Sequence, residues 1–288
     1  MRPQPLRETL LDWYARHGRR LPWRETRDPY RIWVSEIILQ QTRIAQGTDY
    51  YLRFVERFPD IASLAAASED QVLKQWQGLG YYSRARNLHR AAQLLAEQFD
   101  GQFPRSYHQV RSLPGIGDYT AAAICSIAYR MPYAVLDGNV YRVLSRYFDL
   151  DTPIDTSAGK KLFPRLANEQ LDQDRPGDYN QALMDFGALQ CTPSLPECPR
   201  CPLRPHCRAQ AAGTVALRPA KSKRSEPSPR YLHYFHIVSP EGTWVRRRTE
   251  DDIWRGLYEF PRIETPDDLP AEQMLSDVRY KTLIPSAA

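Results

Sequence analysis

Four cysteines, Cys191, Cys198, Cys201 and Cys207, follow one another as C-x6-C-x2-C-x5-C. Thiolates this close in sequence can converge on one metal centre. A zinc ribbon draws two C-x2-C knuckles from parts of a chain about 15 to 20 residues apart, so one short loop wrapping a larger cubane is the better match. That points to a 4Fe-4S cluster. Prolines at 193, 196, 199, 202 and 205 recur through the loop. They bar helix and lower the entropy lost when the thiolates are gathered. The plainer reading is a Pro-rich surface turn with incidental cysteines. The fifth cysteine, Cys125 in AAAICSIAY, reads as a buried core thiol.

A second chemical signal is an acid where apolar residues surround it, Glu36 in VSEIILQQT, residues 34–42. Burying an unpaired polar group costs roughly 2 to 7 kcal/mol, so this carboxyl is expected to be paired or protonated. Gln40, one helical turn later, is placed to steady it. The third signal is LPGIGDYTAAA, with Gly115 and Gly117 directly before a helix. Glycine permits a positive φ and close backbone approach, and a helix start offers free N–H groups to an anion such as a DNA phosphate. An ordinary interhelix turn accounts for the same pattern.

These residues need elements to position them. Segments such as LRETLLDWYARH, RIWVSEIILQQT, ARNLHRAAQLLAEQF, VYRVLSRYF and YNQALMDFGALQC repeat apolar residues every three or four positions, which predicts a mainly α region to about residue 190. Residues 213–230 are rich in Pro, Ser and basic side chains and read as a linker. Beyond them YLHYFHIV alternates and is rich in β-formers, so a small β element is expected over 231–288. The 288 residues carry a formal charge of +5, which favours an anionic partner such as nucleic acid over an acidic protein. There is no signal-peptide-like or membrane-spanning apolar run, so a soluble, cytoplasmic protein without a membrane partner is expected.

Together, VSEIILQQT, GLGYYSRARNLH, LPGIGDYTAAA, VLDGNV and the cysteine spacing resemble the helix-hairpin-helix DNA glycosylases of the endonuclease III superfamily. Within it the likeness is to the MutY-type adenine DNA glycosylases, over about residues 5 to 210. The resemblance implies two helical subdomains and an iron–sulfur loop over 1–212, and a partial Nudix-like β domain over 231–288. It implies a monomer, nucleoid-associated in a bacterium, that binds double-stranded DNA and removes adenine mispaired with 8-oxoguanine or G by base flipping. Because the cysteines lie close to the last helix of this region, the cluster is expected to brace a loop against DNA and do no chemistry.

By the same resemblance Glu36 protonates the purine, which improves the leaving group. Asp137 in VLDGNV stabilises the sugar cation or adds to it, and Tyr119 and Asn139 lie beside the sugar. Asp137 and Asn139 also read as helix caps, and Tyr119 as a packed aromatic. Trp23 and Arg24 in LPWR line the adenine pocket with Gln181, although Trp23 reads equally as core. Gln41 and Tyr81 enter the duplex beside the partner base. Arg84 and Arg86 read as phosphate contacts or as solvated surface.

Two other activities compete with this one. A bifunctional pyrimidine-lesion glycosylase and lyase needs a lysine where this chain has Tyr119, and none occurs between Leu113 and Tyr129. A non-catalytic mismatch-binding module is the other, suggested by a chain that stops at Ala288, about halfway through a Nudix-like domain. WRGLYEFP resembles that domain's opening hairpin, but its later loop has no counterpart here, and no Nudix catalytic box is present.

Overall fold

In the computed structural model, which describes residues 4–222, 228–252 and 254–283, the apolar periodicity becomes helix. The chain divides into two units, Met1–Ser222 and Lys223–Ala288. Among the described residues the first unit contains α1 (Gln4–His17), α2 (Pro29–Leu39), α3 (Ile44–Arg57), α4 (Ile61–Ala65), α5 (Glu69–Trp76) and α6 (Ser83–Gln98). It continues with α7 (Tyr107–Ser112), α8 (Asp118–Tyr129), α9 (Gly138–Phe148), α10 (Ser157–Gln170), α11 (Pro176–Leu189) and α12 (Arg208–Ala212). Local chemistry starts these helices where the sequence allows. Asp28 caps α2 by accepting from Tyr30 N at 3.0 Å, with Pro29 in the first helical position. Ser68 and Gln71 form a reciprocal capping box on α5.

Two hydrophobic clusters organise the unit. One gathers Trp33, Ile37, Phe54, Phe58, Trp76 and Leu88 from α2, α3, α5, α6 and the Phe58 turn. The other gathers Leu6, Leu10, Val143, Phe163, Tyr179 and Phe186 from α1, α9, α10 and α11. Helix α8 is shared between them. Its Ala121, Ile124 and Cys125 face the first cluster and its Ala122 and Ala123 face the second. Small residues on both faces let this helix serve as the common wall, and the thiol of Cys125 is buried in it as expected.

Residues 213–222, expected as the first part of the linker, are bonded back onto the helical unit. Arg218 Nε donates to Asp149 at 2.9 Å, Ile154 N donates to Ala220 O at 3.1 Å, and Ser222 bonds Asp155. Residues 223–227 of that stretch lie outside the described residues.

The second unit is built from short antiparallel pairs. β1 (Tyr231–Tyr234) pairs with β6 (Arg262–Thr265), β2 (Val238–Ser239) with β3 (Gly242–Thr243), and β4 (Arg246–Arg247) with β5 (Tyr258–Glu259). Glu259 accepts from Arg246, Arg248 and Arg262, so ionic bonds join strands that bury little apolar surface. Among the described residues no helix is long and apolar enough to cross a membrane.

Candidate active site

Where α2, α8, α9 and α11 meet, they enclose a cavity of about 310 Å³, in the size range of small-molecule sites. Trp23, Arg24, Glu36, Tyr119, Asp137, Asn139 and Gln181 all line it. These side chains are up to 158 positions apart in sequence, from Trp23 to Gln181, and only the packing of the two clusters brings them together.

Glu36 lines the cavity from α2 together with Ile32, Ser35 and Leu39. Loss of water pushes its carboxyl up to about 7, hydrogen bonding with Tyr119 and the charge of Arg24 oppose that rise, and the charge of Asp137 adds to it. Tyr119, one residue into α8, is itself held well above the ordinary phenol value by burial and by Glu36. Its hydroxyl also lies 3.4 Å from the Met184 sulfur.

Asp137 caps a helix, as one of its two readings expects, and also lines the cavity. Its Oδ1 accepts from Val140 N at 2.8 Å and so caps α9, while its Oδ2 accepts from Asn139 Nδ2 at 2.6 Å beside the cavity. Capping fixes the carboxylate at the helix start, which is the end that carries positive potential. Asn139 Oδ1 in turn accepts from Arg142 Nη2 at 2.9 Å, and Arg142 donates to Gly187 O and Cys191 O at 2.7 and 2.8 Å.

Trp23 likewise joins two readings, because it is 6% exposed, packs edge-on against Tyr51 and still lines the cavity. Arg24 is held in the cavity wall by Asp185, an acid on α11 that is wholly buried and also binds Arg19. Gln181 accepts from the Tyr14 hydroxyl at 3.3 Å, and Arg24 lies 5.7 Å over the Tyr14 ring. Arg19, Tyr14 and Asp185 went unread in the sequence. Asp185 carried the same signal as Glu36, an acid inside an apolar helix, in YNQALMDFGALQC.

The remaining expected residues lie outside the cavity. Helix α2 stops at Leu39, so Gln41 is an exposed residue beyond it, with φ 57°. Tyr81 is 63% exposed with φ 47°. Gly115 has φ 76°, as the tight turn requires. Gly117 has an ordinary φ of −91° at the N-cap of α8, and a Cβ added there would meet nothing within 4 Å. Internal packing does not demand glycine at 117, and its place at the N-cap is one that glycine favours.

Two expectations are corrected here. Gln40 directs its amide to Thr120 Oγ1 at 3.4 Å and is not bonded to Glu36, because it is the C-cap residue and no longer on the helical face. Arg84 is turned inward, donating to backbone carbonyls. Arg86 pairs with Glu69 at 3.4 Å.

The cysteine loop follows α11, and its four thiols are half-buried. Burial first, opposed by a backbone hydrogen bond at Leu203 and aided by the charges of Cys191, Cys207 and Cys198, raises the Cys201 thiol to about 11, so the four share one neighbourhood. Among the described residues no three His, Cys, Asp or Glu side chains form a site for a single metal ion. Arg146, 4% exposed, donates to Thr192 O at 2.7 Å, Pro193 O at 3.0 Å and the Cys191 sulfur at 3.4 Å. Buried cations against a loop of four thiols fit a bound group that makes the sulfurs anionic.

A model of the HhH-GPD superfamily of base excision DNA repair proteins matches residues 34–167. The adenine DNA glycosylase of Buchnera aphidicola subsp. Baizongia pistaciae is 36% identical over 264 residues, covering 91% of this chain and 75% of that protein. The adenine DNA glycosylase of Homo sapiens is 42% identical over 275 residues, covering 89% of this chain and 48% of that one. Among solved structures, a thermostable thymine-DNA glycosylase superposes with TM-score 0.68 at 28% identity, over 73% of this chain and 97% of its own. A trapped endonuclease III–DNA covalent intermediate has the same fold, with TM-score 0.63 at 22% identity, over 74% and 99%. A cavity that pairs a raised carboxyl on α2 with a capped carboxylate on α9 thus sits in a chain that belongs to the adenine DNA glycosylase family, within the HhH-GPD superfamily of base excision DNA repair proteins.

Proposed function

We propose that this protein removes adenine from mispaired double-stranded DNA, opposite 8-oxoguanine or G, and leaves the backbone intact. The observation that carries this reading is the contrast between its two carboxyls in one cavity. The target base leaves the stack and enters the cavity between Trp23, Arg24 and Gln181. Glu36, near half-protonation at neutral pH, donates its proton to the purine ring, so the base departs as a neutral leaving group. Positive charge then develops on the sugar, next to Asp137. Its oxygens are held by Val140 N and Asn139, so the carboxylate stands in place before the charge forms and little reorganisation is needed. Tyr119 stands where a lyase would need a lysine, and the cavity lining contains none.

Cys191, Cys198, Cys201 and Cys207 would hold a 4Fe-4S cluster. When bound, it supplies a structural crosslink for the loop after α11 rather than a reacting group. Gln41 and Tyr81 project toward the duplex, and Gly115 and Gly117 present the start of α8 to a phosphate. Residues 231–288 are read as a partial Nudix-like domain, with exposed Trp254 and Tyr258 available to a base.

Single-turnover adenine release from duplexes with A opposite 8-oxoguanine and A opposite G tests the reading. Release in both, with strand cleavage absent, is expected. No release by the wild-type protein overturns the enzyme, and unchanged release by Glu36→Gln overturns the mechanism.

A further inference from the structure

Gln41 and Tyr81 are both non-glycine residues in left-handed backbone conformations, which is uncommon and strained. Such strain persists only where the surroundings over-determine it. One side chain does so for both. Arg84 Nη1 donates to Gln40 O at 2.5 Å, and its Nη2 donates to Gly80 O at 3.2 Å. Those carbonyls belong to the peptide planes directly preceding Gln41 and Tyr81, and each plane helps define the φ of the residue after it.

The two terminal nitrogens carry all of these bonds, while Nε is buried without a hydrogen-bond partner. Nη1 also donates to Ile37 O and Ile38 O at 2.9 and 3.0 Å, the open carbonyls at the end of α2. Nη2 also reaches Leu79 O at 3.2 Å. The plane lies 5.2 Å over the ring of Trp76, which is fully buried and donates its own Nε1–H to Gly80 O at 3.1 Å. Ile37 follows Glu36 on α2, so the same fork ties both loops to the helix that carries the acid.

We propose that Arg84 is a positioning residue that presents Gln41 and Tyr81 to the duplex as one pre-set pair. The inference rests on the reading of those two residues as DNA probes. A planar fork with donors at both ends can bridge two peptide planes, whereas a lysine ammonium is a single point and cannot hold both in register. A plain helix cap would need only the contacts to Ile37 and Ile38. The contacts to Gln40 and Gly80 connect two separate loops, and the strained residues are the ones that follow them.

The test compares Arg84→Lys with wild type on two substrates. One is the adenine mispaired in a duplex, and the other is adenine in a single-nucleotide bulge, where extrusion is cheap. Release from the duplex is expected to fall about 10- to 100-fold, together with the fluorescence rise of a 2-aminopurine placed at the target position. Release from the bulge is expected to stay within about twofold, and Tyr81→Ala is expected to add little to Arg84→Lys. If the lysine variant melts early, Arg84→Gln carries the same comparison below its melting temperature. Equal losses on duplex and bulge, or full additivity with Tyr81→Ala, overturn the proposal. If Tyr81→Ala and Gln41→Ala both leave duplex release unchanged, the probe assignment itself fails. If they reduce it and Arg84→Lys does not, the role of Arg84 alone is overturned.

Discussion

Asp185 holds Arg24 with both carboxylate oxygens, at 2.7 Å to Nη1 and 2.9 Å to Nη2, and is itself fully excluded from solvent. The same carboxylate accepts from the backbone and side chain of Arg19, so one buried acid faces two guanidiniums. Removing one member of such a group leaves charge without compensation.

Asp185→Asn is therefore expected to cost about 3 to 5 kcal/mol, measured by urea unfolding, and to weaken adenine release by freeing Arg24. Burial alone would raise the Asp185 carboxyl, but hydrogen bonds from Arg24 and Arg19 outweigh it and hold it below the ordinary value. A depressed carboxyl contributes stability that is present above its unfolded value, near 4, and is lost as pH falls through the folded one. The gap between wild type and variant should hold steady from about pH 5 upward and narrow below about pH 4.

For Glu36 the sign is reversed. Its carboxyl is raised to about 7, so the protonated acid is depleted as pH climbs, and single-turnover release should decline above about pH 7. Glu36→Gln should lower release by at least about 10²-fold. The fold binds this proton more tightly than the unfolded chain does, so ionisation of Glu36 destabilises the native state from about pH 4.5 up to about pH 7. That rise corresponds to roughly 3 kcal/mol, and Glu36→Gln should be more stable than wild type at pH 8 by up to that amount. A variant less stable than wild type at pH 8 would contradict the burial argument.

Gly187 sits where α11 crosses α9. An added Cβ there would stand 2.6 Å from Asn139 Cβ and 3.1 Å from Asn139 Cα. Gly187→Ala must move the residue that holds Asp137, so a loss of about 1 to 3 kcal/mol in stability should come with slower release. Thermal unfolding and single-turnover rates on the same preparation check this, and unchanged rates would show that Asn139 does not need its present position.

Gly117→Ala separates protein stability from DNA contact. A Cβ at 117 has open space, so stability should change by no more than about 1 kcal/mol, while duplex affinity falls if the start of α8 meets a phosphate. Fluorescence anisotropy at fixed salt measures the affinity. Full affinity in Gly117→Ala would return the turn to a purely structural role.

Arg146→Met removes donors from Thr192 O, Pro193 O and Val215 O. Each hydrogen bond lost costs about 0.5 to 1.5 kcal/mol, so the cysteine loop should loosen. Purified Arg146→Met and Cys198→Ser proteins should both show reduced iron content and visible absorbance, with weaker duplex binding. Full affinity and stability in Cys198→Ser after loss of that absorbance would remove the bracing role.

Much of this site was readable before any fold. An acid in VSEIILQQT signals itself because burial makes a lone carboxylate costly, and four cysteines at short spacing signal themselves because few structures need them. Asp185 obeys the same rule as Glu36, yet its partners, Arg19 and Arg24, lie 166 and 161 residues away, so its purpose was hidden. Arg84 was read as a phosphate contact or as solvated surface for a related reason. Its five acceptors are backbone carbonyls, which every residue carries and no sequence pattern distinguishes.

By itself the amino-acid sequence determined the helical class, the family, the acid and the four-cysteine loop, because periodicity, residue chemistry and short spacing are local properties. Only the tertiary structure decided which oxygens Asp137 offers, how far Glu36 is shifted, and which backbone conformation Gln41 and Tyr81 adopt. Those depend on desolvation and on hydrogen bonds between helices far apart in the chain, which exist only once the two hydrophobic clusters have closed around α8.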